Sequence, residues 1–533
     1  MEIVDYKKER EKDIEKIKNS SHPRKIIVAG PGTGKSYLFS ELIKKKIAEG
    51  KNNFLAITFI GKLGDFLADD LCGLAETSTM HGFARSFVLE NYKGCQYYPK
   101  MHELIAEDLK SEGIDKFKIG DDNYKKKTVK YKAVGDADVV YYAVEICKKD
   151  SNKIPKYDLI LIDEYQDFNS IESEFVDLLA TKNEVVIVGD DDQALYKFKG
   201  SSPSFIREKY NPENEEFESH TLRFCSRCTN VIIKYFYKII EKFNLNDSSK
   251  TDFTEKRIGK DYICYTPDKN RDSDSNQQIH LIKNCPPGML AYKIKDELGK
   301  IIKNQKIKDV LVIGEGKSCK TLLNDVSVQL INYGFKNVEH KNDDKIFDFN
   351  QNVIDAYKFI AKDENSLLGW RILGNPEDSE IKKKHISNSK NLQKIINGTP
   401  RALDSMSDKA IGKIENEIES ELVTDKNIRK KAFFRQIKQN NIFLPRPLCN
   451  LNIIVCNILN SKGLGADVVF IIGFDQGRFP SKNPAKEDEI YQMLVALTRA
   501  KKRVYLINTV RKKVSDFIDC IDKDDISVEE ITF

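Results

Sequence analysis

A glycine-rich loop between a strand and a helix constrains the fold of this chain more than any other feature. The sequence AGPGTGKS follows the apolar run KIIV and precedes the helical pattern YLFSELIKKKI. Glycines let the backbone N–H groups of such a loop turn towards phosphate oxygens, and the helix adds its positive N-terminal dipole. We therefore expect an α/β fold with a phosphate site at the edge of its sheet. The loop consists of Ala29, Gly30, Pro31, Gly32, Thr33, Gly34, Lys35 and Ser36.

Short β-branched runs alternate with helical stretches in two separate groups of the chain. Residues 24–85 and 156–207 form one group, and residues 307–335 and 452–510 form the other. Strands that helices cover on both faces read as continuous apolar runs. The pattern predicts an α/β protein with two parallel-sheet lobes, which fits the 533 residues of the chain, enough for roughly three to four domains.

Charge and hydropathy exclude several classes of protein. The 87 Lys+Arg and 82 Asp+Glu residues leave a net charge of +5, so a nucleic-acid surface would have to be a local stripe. The charged first twenty residues exclude a secretory signal, and no apolar run approaches the ~18–20 residues of a membrane span. We expect a cytoplasmic protein without membrane contact. The pair Cys225 and Cys228 lacks the second ligand pair that a structural zinc site needs.

Two carboxylates end the strand-like run YDLILI. Asp163 suits a Mg²⁺ ion held through its water shell, and the adjacent Glu164 suits a general base for an attacking water. Lys35 would neutralise the β- and γ-phosphates, and the Ser36 hydroxyl would ligate Mg²⁺. An acidic pair after a strand is usually a solvated strand end, but the loop upstream favours the chemical interpretation.

A second strand, EVVIV, also ends in polar residues. Gln193 is placed to sense a γ-phosphate through a hydrogen bond. Tyr196 and Phe198 alternate with two lysines, which is typical of surfaces that stack bases and bind phosphates. The alternative is an amphipathic edge whose aromatic rings are buried.

Eight segments of the chain occur in a fixed order: AGPGTGKS, LAITFIGKLGDFL, TSTMHGFARSF, DEYQDFN, VGDDDQALYKFKG, LRFCSRCTNVI, LNSKGLGADVVFIIGFDQGRFP and LVALTRAKKRVYL. In order and spelling they resemble motifs I (Walker A), Ia, Ib, II, III, the NYRS motif, V and VI of the UvrD/Rep-like superfamily 1 DNA helicases. The resemblance covers nearly the whole chain. It implies two RecA-like lobes that hydrolyse ATP with Mg²⁺ and move 3′ to 5′ along single-stranded DNA.

The resemblance also assigns roles to individual residues. Arg227 and Arg499 would be arginine fingers on the second lobe, which stabilise the γ-phosphate only when the lobes close. With Lys35, Glu164 and Gln193 they would make up the catalytic set. The DNA track would consist of Phe59, Lys62, His81, Phe83, Tyr196 and Phe198.

The family architecture implies two insertions into the lobes. The expected domains are lobe 1A at 1–87 and 156–213, insertion 1B at 88–155, lobe 2A at 214–375 and 447–533, and a reduced insertion 2B at 376–446. Expected partners are single-stranded DNA and duplex junctions. The chain stops soon after motif VI, so any nuclease would be a separate protein, as in Gabija-type anti-phage helicase and nuclease pairs.

The chain departs from the family pattern in several places. Members of the family commonly carry a glutamine upstream of the loop that reads the adenine edge, but no glutamine precedes Gln96 here. Either another group reads the base, or several nucleoside triphosphates are accepted, or a partner completes the pocket. Leu459 and Gly465 replace the usual His and Glu of motif V, and Leu494 replaces the usual Tyr of motif VI. No NKxD tetrapeptide, the guanine reader of GTPases, follows the loop. The alternative function is a DNA-gated nucleotide switch that licenses a partner nuclease or effector.

Overall fold

The computed structural model describes residues 6–59, 67–71, 73–211, 213–246, 249, 252, 254–265, 276–316, 319–341, 351–397 and 451–532. These residues fall into two compact units. The first holds the described residues up to 80, those of 151–341 and those from 451 onwards; the second, here called the helical unit, holds 81–150 and 351–397. None of the described helices combines the length and the apolar content that a membrane span requires.

The strands are numbered in chain order. They are β1 (Arg24–Ala29), β2 (Phe54–Thr58), β3 (Glu76–Thr79), β4 (Gln96–Tyr97), β5 (Ala133–Val134), β6 (Leu159–Ile162), β7 (Val185–Gly189), β8 (Glu218–Leu222), β9 (Phe224–Cys225), β10 (Ile263–Cys264), β11 (Ile279–Cys285), β12 (Asp309–Gly314), β13 (Asn337–Lys341), β14 (Asn452–Asn457), β15 (Ala466–Ile472), β16 (Ala500–Thr509) and β17 (Ile526–Glu530).

The α-helices are numbered in the same way. They are α1 (Tyr6–Asn19), α2 (Lys35–Ala48), α3 (Met80–Asn91), α4 (Met101–Ser111), α5 (Asp122–Tyr131), α6 (Val139–Lys149), α7 (Ser170–Ala180), α8 (Ser204–Tyr210), α9 (Asn230–Lys242), α10 (Leu290–Asn304), α11 (Lys320–Asn332), α12 (Gln351–Lys362), α13 (Leu367–Ile372), α14 (Ser379–Asn397) and α15 (Glu487–Leu497).

The first lobe is a six-stranded parallel sheet in the order β3-β2-β6-β7-β1-β8. Its central strands are fully buried apolar runs because helices cover both faces. Strands β1, β7 and β6 are neighbours, so the segments that follow them meet at the carboxyl edge of the sheet. Ligands of open α/β sheets bind at this edge.

The second lobe is a seven-stranded sheet in the order β13-β14-β12-β15-β16-β11-β17, and all of its paired strands are parallel. Its core contains the buried strands β12, β15 and β16 together with apolar side chains of α10 and α11. The predicted fold class, α/β with two parallel-sheet lobes, is confirmed. Four strands of the two sheets, β8, β11, β13 and β17, lie outside the predicted groups.

The helical unit joins two distant parts of the chain. Phe359 and Leu368 pack in one core with Met101 and Tyr124, and Arg371 donates to Asp108 at 2.7 Å. Several boundaries therefore differ from the expected domains. Residues 351–375 lie in the helical unit because their apolar residues pack there, and β8 pairs with β1 of the first sheet. Most of the predicted insertion 376–446 lies outside the described residues.

Candidate active site

The glycine-rich loop has the backbone geometry that a phosphate site needs. Gly32 and Gly34 have φ values of +68° and +92°, in the region where residues with a Cβ are strained. The Thr33 hydroxyl donates to the carbonyl oxygen of Gly30 at 2.9 Å and closes the turn. Helix α2 begins at Lys35, so its free N–H groups face the loop.

The segment at β9 braces the loop from the other side. The backbone N and the hydroxyl of Ser226 donate to the carbonyl of Gly32 at 2.8 and 2.9 Å, and the Cys225 thiol donates to the Pro31 carbonyl at 3.0 Å. A Cβ on Gly32 would collide with the side chain of Arg227. This glycine is therefore required by the close approach of Arg227 as well as by its φ. The thiol of Cys225 is therefore one of the groups that hold the loop in place.

The acidic pair lies directly beside the lysine of the loop. Lys35 Nζ is 3.0 Å from Glu164 Oε1 and 3.8 Å from Asp163 Oδ1. Glu164 adopts a left-handed backbone with φ +53°, a strained conformation that is frequent at functional sites. Its second oxygen accepts from the Gln166 amide at 2.6 Å.

Burial and neighbouring charges shift the pKa values of the two carboxylates in opposite directions. Burial raises the pKa of Asp163 to about 6, against the pull of Lys35. Burial also opposes ionisation of Glu164, but the charges of Lys35 and Lys462 outweigh it and hold the pKa of Glu164 well below its usual range. Glu164 is therefore an ionised carboxylate, as a base that polarises water must be.

Two residues of the second lobe reach into the first. Arg499 is 2% exposed and donates from Nη2 to the side-chain oxygen of Gln193 at 3.2 Å. The amide of Gln193 in turn donates to Asp190 at 2.7 Å. Burial and the nearby Arg227 charge lower the pKa of Arg499 to about 9, so it stays cationic at neutral pH. Lys462 donates to the Gln193 carbonyl at 2.9 Å and pairs with Asp167.

The loop, the acidic pair and the second lobe enclose a cavity of 410 Å³. Lys35, Ser36, Asp163 and Glu164 line one side. Across from them the lining residues include Ser226, Arg227, Gly463 and Lys501. A Cβ on Gly465 would lie 3.5 Å from Lys501 and 3.6 Å from Arg227, so the absence of a longer side chain at Gly465 leaves both cations facing the cavity.

Three consecutive aspartates after β7 form a buried charge network that the sequence did not reveal. Asp190, Asp191 and Asp192 are fully buried and lie close enough together to hold a metal ion. Three cations neutralise them instead. Lys260 pairs with all three, Arg257 pairs with Asp192 at 2.7 Å, and Arg207 pairs with Asp191 at 2.9 Å.

The residues expected to contact DNA differ in how far they are exposed to solvent. Phe198 is 69% exposed and offers its ring to a base, whereas Tyr196 is only 8% exposed. The ring of Tyr196 packs 5.0 Å from the ring of Phe59, so Tyr196 belongs to the core, as the alternative interpretation has it. His81 and the buried Phe83 lie in the helical unit. Lys62 lies outside the described residues.

Comparison with known proteins agrees with this geometry. Residues 109–214 match the family described as "UvrD/REP helicase N-terminal domain", and residues 446–511 match the "UvrD-like helicase C-terminal domain". Both matches support a UvrD-like superfamily 1 helicase. A "Probable DNA helicase II homolog" of Rickettsia conorii is 23% identical over 92% of this chain and 91% of its own length. The "DNA helicase II" of Rickettsia typhi is 21% identical over 92% and 90%.

A second kind of relative matches only a short part of the chain. An "Exonuclease/helicase subunit RexA" of Lactococcus lactis is 32% identical over 27% of the chain and 12% of its own length. The name of that protein joins an exonuclease to a helicase.

The two lobes place residues in the site that the sequence analysis did not assign to it. Lys462 lies in the segment that resembles motif V, and its contacts to Asp167 and Gln193 connect that segment to motifs II and III. Lys501 faces the cavity from the first residues of β16. The signal for both was their position inside the matched motifs V and VI.

Proposed function

We propose that this chain is an ATP-dependent DNA helicase or translocase that moves 3′ to 5′ on single-stranded DNA and hydrolyses ATP between its two lobes. The observation that supports this most is the contact of Arg499 with Gln193. It connects a cation of the second lobe to the polar segment that follows β7 of the first. Motion of one lobe against the other would therefore change the hydrolytic site.

Ser36 and Asp163 fit a Mg²⁺ ion. Both line the cavity, and hydroxyl and carboxylate oxygens are the ligands that Mg²⁺ prefers. These two residues would hold the ion beside the loop, where it would neutralise charge on the triphosphate. The three buried aspartates at 190–192 do not fit an ion, because Lys260, Arg257 and Arg207 already neutralise them.

Lys35 controls whether the general base is available. Its ammonium is paired with Glu164 at 3.0 Å. A triphosphate in the loop would take Lys35 as its partner, and this would free Glu164 Oε1 for the attacking water. Gln166 and Lys462 would keep the other oxygen of Glu164 in place.

The two fingers would complete the site from the second lobe. Arg227 lines the cavity next to Gly32, and Arg499 lies behind it on Gln193. A γ-phosphate would compete with the Gln193 side chain for the Arg499 guanidinium. In this way Gln193 would sense whether nucleotide is present and pass that state to the segment that carries Phe198.

We assign the DNA track to Phe59, Lys62, His81, Phe83 and Phe198, with Tyr196 as the ring that supports its neighbours. Aromatic stacking on bases tolerates any sequence, as a translocating motor requires. Lys199 lies 5.8 Å from the ring of Phe59 and 5.5 Å from that of Tyr196 and supplies a cation for the phosphate backbone. Duplex junctions would be the second DNA partner.

Strand separation on tailed duplexes tests the polarity. The protein with ATP and Mg²⁺ is expected to unwind a duplex with a 3′ single-stranded tail and to leave a blunt duplex and a 5′-tailed duplex intact. Unwinding of the 5′-tailed duplex alone would contradict the proposed direction.

A DNA-gated switch that licenses a nuclease is the second candidate. It is favoured by Leu459 and Leu494, which depart from the motifs of this family, and by the relative from Lactococcus lactis whose name includes both exonuclease and helicase. This function would need a separate nuclease partner in the cytoplasm, as in Gabija-type defence pairs. DNA-stimulated ATP hydrolysis with no unwinding of any tailed duplex would favour the switch over the motor.

A further inference from the structure

An arginine near the start of the chain lies over the phosphate loop. Arg10 is on α1, and its Nη2 atom is 2.9 Å from the point where a Cβ on Gly34 would stand. The helix is firmly anchored, because Ile14 and Ile17 are buried in the core of the first lobe and Asp13 pairs with Arg223 at 3.0 Å. The position of Arg10 beside the loop is therefore a property of the fold.

Two tyrosine rings flank the guanidinium. Its central carbon is 5.2 Å from the ring centroid of Tyr37 and 5.9 Å from that of Tyr265. Tyr37 follows the loop directly and is 50% exposed. Among the described residues Arg10 has no carboxylate partner, and its buried Nε has no hydrogen-bond acceptor. A half-buried cation with unused donors beside a ligand cavity is a candidate for ligand recognition.

A nucleotide in the loop would bring its base to this place. The backbone N–H groups of the loop hold the phosphates, and the sugar and base continue outwards from the α-phosphate past the first turn of α2. Tyr37 lines the cavity at that turn, and Arg10 is its neighbour. The tyrosine ring offers a face for stacking, and the guanidinium offers an edge of donors.

The donors of Arg10 match one kind of purine better than the other. An arginine carries N–H donors and no acceptor. Guanine presents two acceptors on its outer edge, N7 and O6, whereas adenine presents the acceptor N7 and the N6 amino donor. An arginine can donate to both N7 and O6 of guanine. With adenine it can donate to N7 only, because its second N–H group faces the N6 amino group, which is also a donor.

We propose that Arg10 reads the N7 and O6 edge of the base and makes GTP a ligand at least as good as ATP. The inference rests on the proposed function, since it places a nucleoside triphosphate in this loop. The chain lacks the upstream glutamine that would read the base, and this inference favours the explanation that another group, Arg10, reads it instead. Arg10 would do the work of the NKxD tetrapeptide that the chain lacks.

Equilibrium binding of the β,γ-imido analogues of GTP and ATP to the full chain, with Mg²⁺, tests this without hydrolysis. The wild-type protein is expected to bind the GTP analogue at least as tightly as the ATP analogue. Arg10→Gln should shift the affinity ratio towards adenine by about 10- to 100-fold, because an amide both donates to N7 and accepts from N6. Arg10→Lys, which keeps the charge but not the paired donors, should lower affinity for the GTP analogue more than for the ATP analogue.

Arg24→Gln is the matched control. Arg24 begins β1 at the end away from the loop and donates to the carbonyl of Ala180, so its loss should leave the ratio unchanged. A wild-type preference for adenine of about tenfold or more, an equal effect of Arg10→Gln on both analogues, or binding of neither analogue would overturn the inference. Hydrolysis with DNA stimulation but no change in the ratio would defeat this inference alone. The expected ratio without any hydrolysis would defeat the proposed function alone.

Discussion

The Nη2 atom of Arg499 donates a hydrogen bond to the side-chain oxygen of Gln193 across 3.2 Å. Arg499 immediately precedes β16 of the second sheet, and Gln193 follows β7 of the first. Both side chains are buried, so the bond is shielded from water and is stronger than an exposed one. A cation that a triphosphate would attract is therefore held by the group proposed to sense that triphosphate.

Removal of this cation should slow chemistry more than binding. Arg499→Ala is expected to lower kcat for ATP hydrolysis by about 10³- to 10⁵-fold, the range found for arginine fingers, with a small change in KM. Steady-state hydrolysis at saturating single-stranded DNA measures both. The control is Arg503→Ala in β16, whose side chain donates to Asn276 and does not line the cavity. A kcat for Arg499→Ala equal to that of the control would remove Arg499 from the site.

Lys501 should bind phosphate without taking part in chemistry. It lines the cavity opposite Lys35, and a charge-assisted contact to a phosphate would be lost in Lys501→Ala. We expect KM for the nucleotide to rise about tenfold at nearly unchanged kcat. Lys502→Ala is the control, because Lys502 donates to the carbonyl of Lys306. If both variants show the same KM, Lys501 does not touch the nucleotide.

Loss of one cation from the buried aspartate network should destabilise the fold strongly, because it leaves buried carboxylates without their partner charge. Lys260 is fully buried among Asp190, Asp191 and Asp192, and Lys260→Met leaves their charges undercompensated. The expected loss is ~3–5 kcal/mol in the free energy of unfolding. Urea denaturation followed by circular dichroism measures it, because the single tryptophan, Trp370, lies in the helical unit and would report that unit.

The matched control for the network is Lys300→Ala. Lys300 is largely exposed and pairs with Asp296 and Glu297 on its own helix, so its loss should cost less than ~1 kcal/mol. Equal unfolding free energies for Lys260→Met and Lys300→Ala would show that the network contributes little.

Phe198 should carry base stacking on the DNA track. It is 69% exposed, and stacking of one base contributes ~1–3 kcal/mol, so Phe198→Ala should weaken single-stranded DNA binding by that amount. Fluorescence anisotropy with a labelled oligonucleotide measures it at fixed salt, since phosphate contacts depend on salt. Tyr292→Ala, on the exposed face of α10, is the control for loss of an exposed ring. Unchanged affinity for Phe198→Ala would mean that the bases lie elsewhere.

The local parts of the fold and site were predictable from sequence, and the distant contacts were not. The loop at 29–36 and the carboxylates at 163–164 sit at strand ends whose apolar runs are visible in the sequence. The pairing of Lys260 with residues 190–192 joins segments about seventy residues apart, and charge alone does not reveal a partner. The edge strands β8 and β17 carry polar residues, half-buried or buried in β8 and partly exposed in β17, and therefore lack the apolar run of a central strand.

The remaining differences between the sequence predictions and the structure depend on how side chains pack in the folded chain. Tyr196 and Phe198 have the same chemistry in sequence, but only Tyr196 packs against Phe59 and Lys462. No sequence motif marks Arg10, because its proposed role depends on the position of α1 beside the loop in the folded chain. Residues 351–375 contain an amphipathic helix that would suit either a lobe or an insertion, and packing of Phe359 with Tyr98 places it in the helical unit.

The most direct test of the account is ATP hydrolysis by wild-type protein and Lys35→Ala, each with and without single-stranded DNA. We predict that DNA stimulates the wild-type rate strongly and that Lys35→Ala hydrolyses no ATP under either condition while it keeps the circular dichroism spectrum of the wild type. Lys35 is the only described cation that pairs with both carboxylates at 163 and 164, so its loss should leave the triphosphate without its main partner. Wild-type turnover in Lys35→Ala, or a wild-type rate indifferent to DNA, would contradict a DNA-driven motor built on this site.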